Sequence, residues 1–244
     1  MLHRFAVLTA VLTFPLIFAG ATVTSKDAAL AVPDWPLSYG SLFPRMVGNI
    51  VYEHGHRLIA GLVGLCTLIL AIWVQRAEKR PWVRRLAWTA LAAVVAQGTL
   101  GGLTVLNLRP PAVSAIHACL AQAFFALVSA LALATAPRWL EADSPASRRP
   151  PAASLPRGGG GVIRILSLLA VAVVYLQVIL GAAVRHGGAA LSIPDFPLMF
   201  GGLWPGAEHL AQPGVIIQLA HRLGGAGAGG RWRGGGEGAT LWTR

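Results

Sequence analysis

The chain has 244 residues, of which 55% are hydrophobic and 12% are charged, and its mean hydropathy is +0.62. A soluble domain carries about a quarter charged residues, so this composition excludes an ordinary soluble globule and indicates a polytopic membrane protein. The net charge of +11 does not predict a nucleic-acid partner, because the basic residues lie in short segments between apolar runs. Cys66 and Cys119 both lie inside apolar runs, so no disulfide framework is expected.

Five apolar runs are long enough to cross a bilayer, which takes about 20 residues. They cover residues 5–23, 51–74, 86–106, 112–136 and 162–184, and a sixth begins near Pro213 and fades after Leu223. The first run has features of a signal peptide. However, residues 20–44 align without gaps to residues 181–205 with 13 identities in 25 positions, which makes the first run equivalent to the fifth. We therefore expect both to be retained helices.

The repeat predicts an all-α fold, a polytopic transmembrane helical bundle with two homologous four-helix halves of which the second is incomplete. Residues 1–137 form the first half, and residues 138–161, rich in Pro, Ser, Arg and Gly, form a cytoplasmic linker. Residues 162–227 supply two of the four helices of the second half. Residues 228–244 are too rich in glycine and arginine to span, and they are expected to be a tail of the kind that a truncation or frameshift leaves.

The basic residues set the expected orientation in the membrane. They are concentrated between spans two and three and between spans four and five, whereas the opposite loops carry few. The N-terminus is therefore expected in the cytoplasm. Two copies of one loop, ALAVPDWPLSYGSLFP at residues 29–44 and ALSIPDFPLMFGGLWP at residues 190–205, then face the outside.

Three histidines lie early in apolar segments that enter from this outer side. His56 and His221 each follow a copy of the repeated loop and precede Arg-Leu, and His117 has a depth similar to that of His56. Ionisable residues inside a membrane are costly without partners, so the recurrence indicates a metal or haem site. Histidines on two facing helices clamp a haem iron axially from both sides. The alternative for His117 is a core histidine with satisfied hydrogen bonds.

Charged and polar residues accompany these histidines. Glu53 shares a helix face with the first of them, and it is either a first-turn carboxylate that the helix dipole favours or a proton acceptor at a haem edge. Arg57 and Arg222 either pair with haem propionates or extend to the interface. Gln218 occupies the position that matches Glu53, so the second site lacks the carboxylate and is expected to serve structure or electron transfer.

The other polar and aromatic residues are weaker candidates. Asp34 and Asp195 follow prolines in the two loops and are expected to fix the loop shape. Aromatic loop residues are expected at the membrane interface, namely Trp35, Phe43, Phe196 and Trp204. Four remaining histidines are poor ligand candidates, namely His3, His54, His186 and His209.

Several of these motifs together resemble a known family. The stretch EHGHRLIAG at residues 53–61 resembles the E-x-x-H-R motif of haem A synthases. So do GGLTVL at residues 101–106, followed by His117, and GAAVRH at residues 181–186, followed by the PDFPL loop and His221. The resemblance extends to about Leu223. Many members have a cysteine pair in the first outer loop, and residues 25–50 contain none, so a cysteine-based redox step is not expected.

The resemblance implies two four-helix halves and an oxidoreductase that converts the C8 methyl group of haem O to a formyl group, making haem A for terminal oxidases. It implies that His56 and His117 hold the substrate haem and that Glu53 is the carboxylate needed for turnover. His221 would be one axial ligand of haem b in the second half, with electrons passing between the haems. The implied partners in the bacterial inner membrane are haem O, haem O synthase, an electron acceptor and the lipid bilayer. A fourth histidine is absent, so the haem b site is expected to be half-built.

Two other functions would use the same histidines. A membrane cytochrome b-type electron carrier would not need Glu53, and a haem-handling protein would bind haem more openly. Conversion of haem O to haem A separates the enzyme from both alternatives.

Overall fold

The computed structural model describes the backbone of residues 1–142 and 159–233. Eight α-helices and no strand lie in these two segments. The helices are α1 (Leu2–Ser25), α2 (Ile50–Ala77), α3 (Pro81–Leu106), α4 (Pro111–Ala134), α5 (Pro137–Ala142), α6 (Gly159–His186), α7 (Ala207–Leu210) and α8 (Pro213–Arg233). Most of the linker predicted at 138–161, and residues 234–244 of the predicted tail, lie outside the described backbone.

Five of the described helices, α1 to α4 and α6, are long and apolar enough to cross a membrane. The expected all-α, polytopic architecture is therefore confirmed. α3 begins at Pro81, five residues before hydropathy placed the third span, because the polar first turn of a helix carries no apolar signal. Proline suits that first position, since the N–H that it lacks would have no partner within the helix.

α8 is longer than the apolar pattern indicated. It begins at Pro213 as predicted, but its backbone stays helical to Arg233, well past Leu223. The packing of α8 against α6 explains part of this extension. Glycine leaves the helix backbone open to a neighbouring helix. The Gln177 amide of α6 is oriented so that both its oxygen and its nitrogen have hydrogen-bond partners. In this orientation its oxygen accepts a hydrogen bond from the Gly225 N–H at 3.1 Å.

Helices α1 to α4 form an antiparallel bundle in the first of two compact units, residues 1–153. Each helix packs against the next and α4 packs against α1, so α2 and α4 stand at diagonal corners. Polar contacts fasten the end of the bundle where the N-terminus lies. His3 Nδ1 is 3.0 Å from the carbonyl of Ala132, and Arg80 donates to the carbonyl of Ala134 at 2.7 Å.

The apolar core of this bundle is concentrated in the half that contains the N-terminus. Its largest buried members come from α2, α3 and α4, namely Val63, Leu70, Val74, Val83, Phe124, Val128 and Leu131. The opposite half holds buried ionisable side chains, namely Glu53 and His54. The polar residues singled out by sequence therefore lie beyond the end of the apolar core.

The second unit, residues 154–244, is built on α6 and α8. The second copy of the repeated loop joins them and packs on α8 through a small apolar cluster of Ile193, Met199, Val215 and Leu219. Both copies of the loop contain a cis proline, at Trp35–Pro36 and at Phe196–Pro197, and the same short bridge, which indicates one loop fold used twice.

Candidate functional site

His56 and His117 lie at the same height in the first bundle. Each stands six residues after the first residue of its helix, α2 or α4. Each also stands seven residues before a buried core residue of the same helix, Val63 or Phe124. Residues seven apart share a helix face, so both histidines face the bundle interior. Because α2 and α4 run parallel at diagonal corners, the two imidazoles enter that interior from opposite sides.

Each of the three candidate histidines packs against a glycine of the helix that precedes it. A methyl group built on Gly20 of α1 would lie 3.0 Å from His56 Cε1. The same construction gives 3.3 Å between Gly101 of α3 and His117 Cε1. In the second unit it gives 3.0 Å between Gly181 of α6 and His221 Cε1. We call these three residues the seat glycines.

Two of the three histidines also contact a glutamine, which in each case lies one turn before the seat glycine on the same helix. Gln97 Nε2 donates to the backbone carbonyl of His117 at 2.9 Å and lies 3.5 Å from its Nε2 atom. Gln177 Nε2, in the orientation described above, donates to the backbone carbonyl of His221 at 3.1 Å and lies 3.0 Å from its Nδ1 atom. Neither glutamine was predicted as a site residue, although the matching patterns QGTLG at 97–101 and QVILG at 177–181 distinguish both in the sequence.

Glu53 joins α2 to the first copy of the repeated loop. Its side chain is 4% exposed, Oε2 accepts the N–H of Val32 at 2.9 Å, and Oε1 pairs with Arg57 at 2.6 Å. Arg57 in turn donates to the carbonyls of Asp34 and Leu37, both at 2.7 Å. We call this Glu53–Arg57 pair with its loop backbone partners the loop clamp.

The second unit repeats the bonds of the loop clamp to the loop backbone, with the amide of Gln218 in place of the carboxylate. Gln218 Oε1 accepts the N–H of Ile193 at 2.6 Å, and its Nε2 donates to the carbonyl of Ala190 at 2.9 Å. Arg222 donates to the carbonyls of Asp195 and Leu198 at 2.8 and 3.1 Å, as its counterpart does in the first unit. The correspondence of Glu53 with Gln218 therefore holds in three dimensions. Both arginines direct their donors to loop carbonyls.

The loop aspartates fix the shape of the loop, as the sequence predicted. Asp34 accepts hydrogen bonds from the N–H groups five and six residues later at 2.7 and 2.8 Å, and Asp195 makes the same two bonds at 2.7 Å. Donation from the Gly40 amide holds the pKa of Asp34 below its usual value, and donation from Gly201 does the same for Asp195.

One polar pair is present in the first unit alone among the described residues. Buried His54 lies with Nδ1 2.8 Å from the hydroxyl oxygen of Ser38, and its Nε2 is buried without a hydrogen-bond partner. The matching positions of the second unit carry Leu219 and Met199, which pack in its apolar cluster. The first loop therefore encloses more polar groups than the second, although the two share a backbone fold.

The aromatic residues of the loops are exposed, as expected for interface residues. Phe43 and Phe196 are each 84% exposed. Trp35 differs because its indole covers Gly102 of α3, where an added methyl group would lie 2.6 Å from the ring. Gly102 is adjacent to the seat glycine Gly101, so this contact places the first loop close to the part of α3 that packs against His117.

His209 and the two cysteines are among the weaker candidates. His209 stacks on Phe200 with ring centroids 3.7 Å apart, and both cysteines are free thiols. No group of three or more His, Cys, Asp or Glu side chains that could hold a metal ion occurs in the described part of the chain. A haem iron can take one imidazole on each face, so two histidines on diagonal helices could serve as its axial ligands.

The fold and the site together define the class of this protein: it is a polytopic membrane protein whose helical bundle carries inward-facing histidines on two diagonal helices. The family model described as cytochrome oxidase assembly protein matches residues 45–229. The chain is 35% identical over 222 residues to the heme A synthase of Symbiobacterium thermophilum, covering 89% of this chain and 68% of that protein. It is 31% identical to the heme A synthase of Geobacillus kaustophilus, with 91% and 67% covered. This chain belongs to the cytochrome oxidase assembly protein family.

Proposed function

We propose that this protein is a haem A synthase, an oxidoreductase that converts the C8 methyl group of haem O to the formyl group of haem A. The observation that carries the proposal is the pair His56 and His117, at one height on diagonal helices and facing one interior. Relatives that carry this name match nearly the whole chain.

The residues present suit a haem. Imidazole is a preferred axial ligand of haem iron, and two of them from opposite sides give six-coordination. The Nδ1 atom of His56 is buried without a hydrogen-bond partner among the described residues, although the Leu16 carbonyl faces the same ring. A buried imidazole with such an atom gains from a ligand that fixes its orientation. His56 and His117 would therefore hold haem O as substrate.

Glu53 is the proposed catalytic carboxylate. Conversion of a methyl to a formyl group takes up one oxygen atom and is a four-electron oxidation. With water as the oxygen source, four protons and four electrons leave the reacting centre, and a base near the reacting carbon accepts protons as this occurs. The second unit argues that the charge of Glu53 is not needed to hold the loop backbone, because the neutral Gln218 accepts the matching loop N–H, that of Ile193. An amide would also hold the loop at this position. A buried carboxylate that stands there is therefore a candidate for a catalytic role.

The second unit is proposed to hold haem b through His221, and haem b supplies one-electron chemistry when bound. Arg57 follows His56, and Arg222 follows His221. We propose that each arginine also binds a haem propionate by charge-assisted hydrogen bonds, using the N–H groups that do not bond to the loop. The electrons leave to an acceptor in or at the membrane.

We propose the predicted organisation for the whole chain. Residues 1–137 form the half with the substrate site, 138–161 the cytoplasmic linker, 162–227 the two helices of the second half, and 228–244 a tail that does not span. The N-terminus then lies in the cytoplasm and the histidines lie near the outer face of the bacterial inner membrane. Haem O synthase is the proposed supplier of substrate.

The test is conversion of haem O to haem A by membranes that contain the chain, followed by extraction and chromatographic separation of the haems. Glu53→Gln is expected to lower conversion by about 10²–10⁴-fold, the usual contribution of a general base. Glu78→Gln is the matched control, since this carboxylate lies in the α2–α3 turn at the opposite end of the bundle. Full conversion by Glu53→Gln would refute the catalytic role. Bound haem without any conversion by the unaltered chain would favour an electron carrier.

A further inference from the structure

The three seat glycines share one position in their helices. Gly20, Gly101 and Gly181 each lie five residues before the last residue of α1, α3 and α6. In each case the chain then passes through an outer connection and returns in a helix that carries the histidine. The same helical hairpin, with a glycine on its first helix and a histidine on its second, therefore occurs three times in the described residues.

A side chain at any of these positions would press on the imidazole. A methyl group 3.0 to 3.3 Å from an imidazole carbon is closer than ordinary van der Waals contact, so the ring would have to move by a few tenths of an ångström. The ring lies against the backbone of the preceding helix and is held there on one side. Ligand geometry at a metal depends on contacts of this kind.

We propose that Gly20, Gly101 and Gly181 are positioning residues that fix the orientation of His56, His117 and His221 for axial ligation of haem. The inference rests on the proposed function for the identity of the ligand. It adds to that function a set of residues that touch neither the iron nor the reacting carbon and act through the imidazoles.

The glutamines support a positioning role over simple helix packing. Gln97 and Gln177 each stand one turn before a seat glycine and contact the same histidine as that glycine. The equivalent position before Gly20 is Leu16. Two of the three rings are thus bounded by a glycine and an amide together, which close helix approach alone would not require.

Gly98 provides a matched control on the same helix as Gly101. An added methyl group at Gly98 meets nothing within 4 Å, although the residue lies only three positions away. Gly101→Ala and Gly98→Ala therefore make the same chemical change to α3, and both replace glycine with a better helix former. They differ in whether the new methyl group meets the imidazole.

The experiment titrates haem b into the purified full chain in detergent and records absorption and electron paramagnetic resonance spectra of the oxidised complex. The low-spin resonance responds to the relative orientation of the two imidazole planes. We expect Gly101→Ala to weaken haem binding about tenfold and to shift this resonance, and Gly98→Ala to leave both unchanged. A Gly101→Ala spectrum and affinity equal to those of Gly98→Ala would overturn the proposal.

Variants at the other seat glycines keep the test conclusive if the Gly101→Ala protein does not fold and accumulate. Gly20→Ala examines the same claim through His56 with both readouts. Gly181→Ala examines it through His221 by haem affinity, with Gly161→Ala as its control, since an added methyl group there also meets nothing. If the unaltered chain binds no haem b, the positioning role is overturned. Binding with the expected shift but without haem A formation would reject the proposed function and retain the positioning role.

Discussion

Replacing Arg57 with methionine removes the cation that faces the buried Glu53 carboxylate. The two side chains are 14% and 4% exposed, so the remaining charge cannot be solvated without opening the loop. Removal of one partner from a buried ion pair costs about 3–5 kcal/mol. The partial exposure of Arg57 favours the lower end, about 3 kcal/mol, for closure of the first loop.

Arg222→Met makes the same change in the second unit without leaving a charge. Gln218 keeps its bonds to Ile193 and Ala190, and the loss is limited to the hydrogen bonds from the guanidinium to the loop carbonyls. A cost of about 1–2 kcal/mol is expected. The first loop should therefore be the more sensitive of two loops that share one fold.

Hydrogen exchange at two matched amides measures the difference. The Val32 N–H bonds to Glu53 and the Ile193 N–H bonds to Gln218, so each reports opening of its own loop. Since about 1.4 kcal/mol corresponds to a tenfold change, Arg57→Met should accelerate exchange at Val32 about a hundredfold. Arg222→Met should accelerate exchange at Ile193 about tenfold.

A double variant tests the reason for the difference. Glu53→Gln combined with Arg57→Met gives the first clamp the neutral amide of the second, and exchange at Val32 should slow by about tenfold relative to Arg57→Met alone. The reasoning is refuted if the double variant exchanges as fast as Arg57→Met, because an unpaired charge would then not be the cause of the opening.

Two further predictions concern other contacts of the first unit. Gly102→Ala places a methyl group 2.6 Å from the Trp35 indole and should displace that ring at a cost of about 1–3 kcal/mol, seen as a change in tryptophan fluorescence and a lower unfolding temperature. Gly98→Ala should show neither effect, and equal behaviour of the two variants would contradict the packing described. Hydrogen bonding from Arg80 lowers the pKa of Glu78 from 4.5 to about 2, so this group stabilises the fold above pH 4.5 and ceases to do so as the pH falls towards 2. Glu78→Gln should therefore flatten the fall in unfolding temperature over that range, and an unchanged acid profile would exclude the contribution.

The sequence was sufficient for the spanning helices of the described residues and for the equal height of His56 and His117 along their helices. Hydropathy identified the five spanning helices because each apolar run is continuous, and the distance from the start of a helix gave His56 and His117 equal height. The correspondence of Glu53 with Gln218 also followed from the repeat alone. The first two features depend on residues close together in the chain, and the third depends on direct comparison of two copies of one sequence.

Contacts between elements were not predictable in the same way. Glu53 and Arg57 meet backbone groups of the loop, and no pattern of residue types identifies a backbone partner. The contact of Gly101 with His117 depends on which helices are neighbours and on their relative rotation. The length of α8 was underestimated because glycine is a poor helix former in isolation, whereas packing against α6 favours the helix.

The recurrence of the hairpin bears on how the protein is assembled. Gly101 precedes His117 by 16 residues and Gly20 precedes His56 by 36, so each contact closes between consecutive helices. Contacts between segments close in sequence form early, and membrane helices associate after they have inserted. Each hairpin can thus complete its own imidazole contact from neighbouring segments once its two helices have inserted, and docking of the α1–α2 hairpin on the α3–α4 hairpin then brings the two histidine-bearing helices into one bundle.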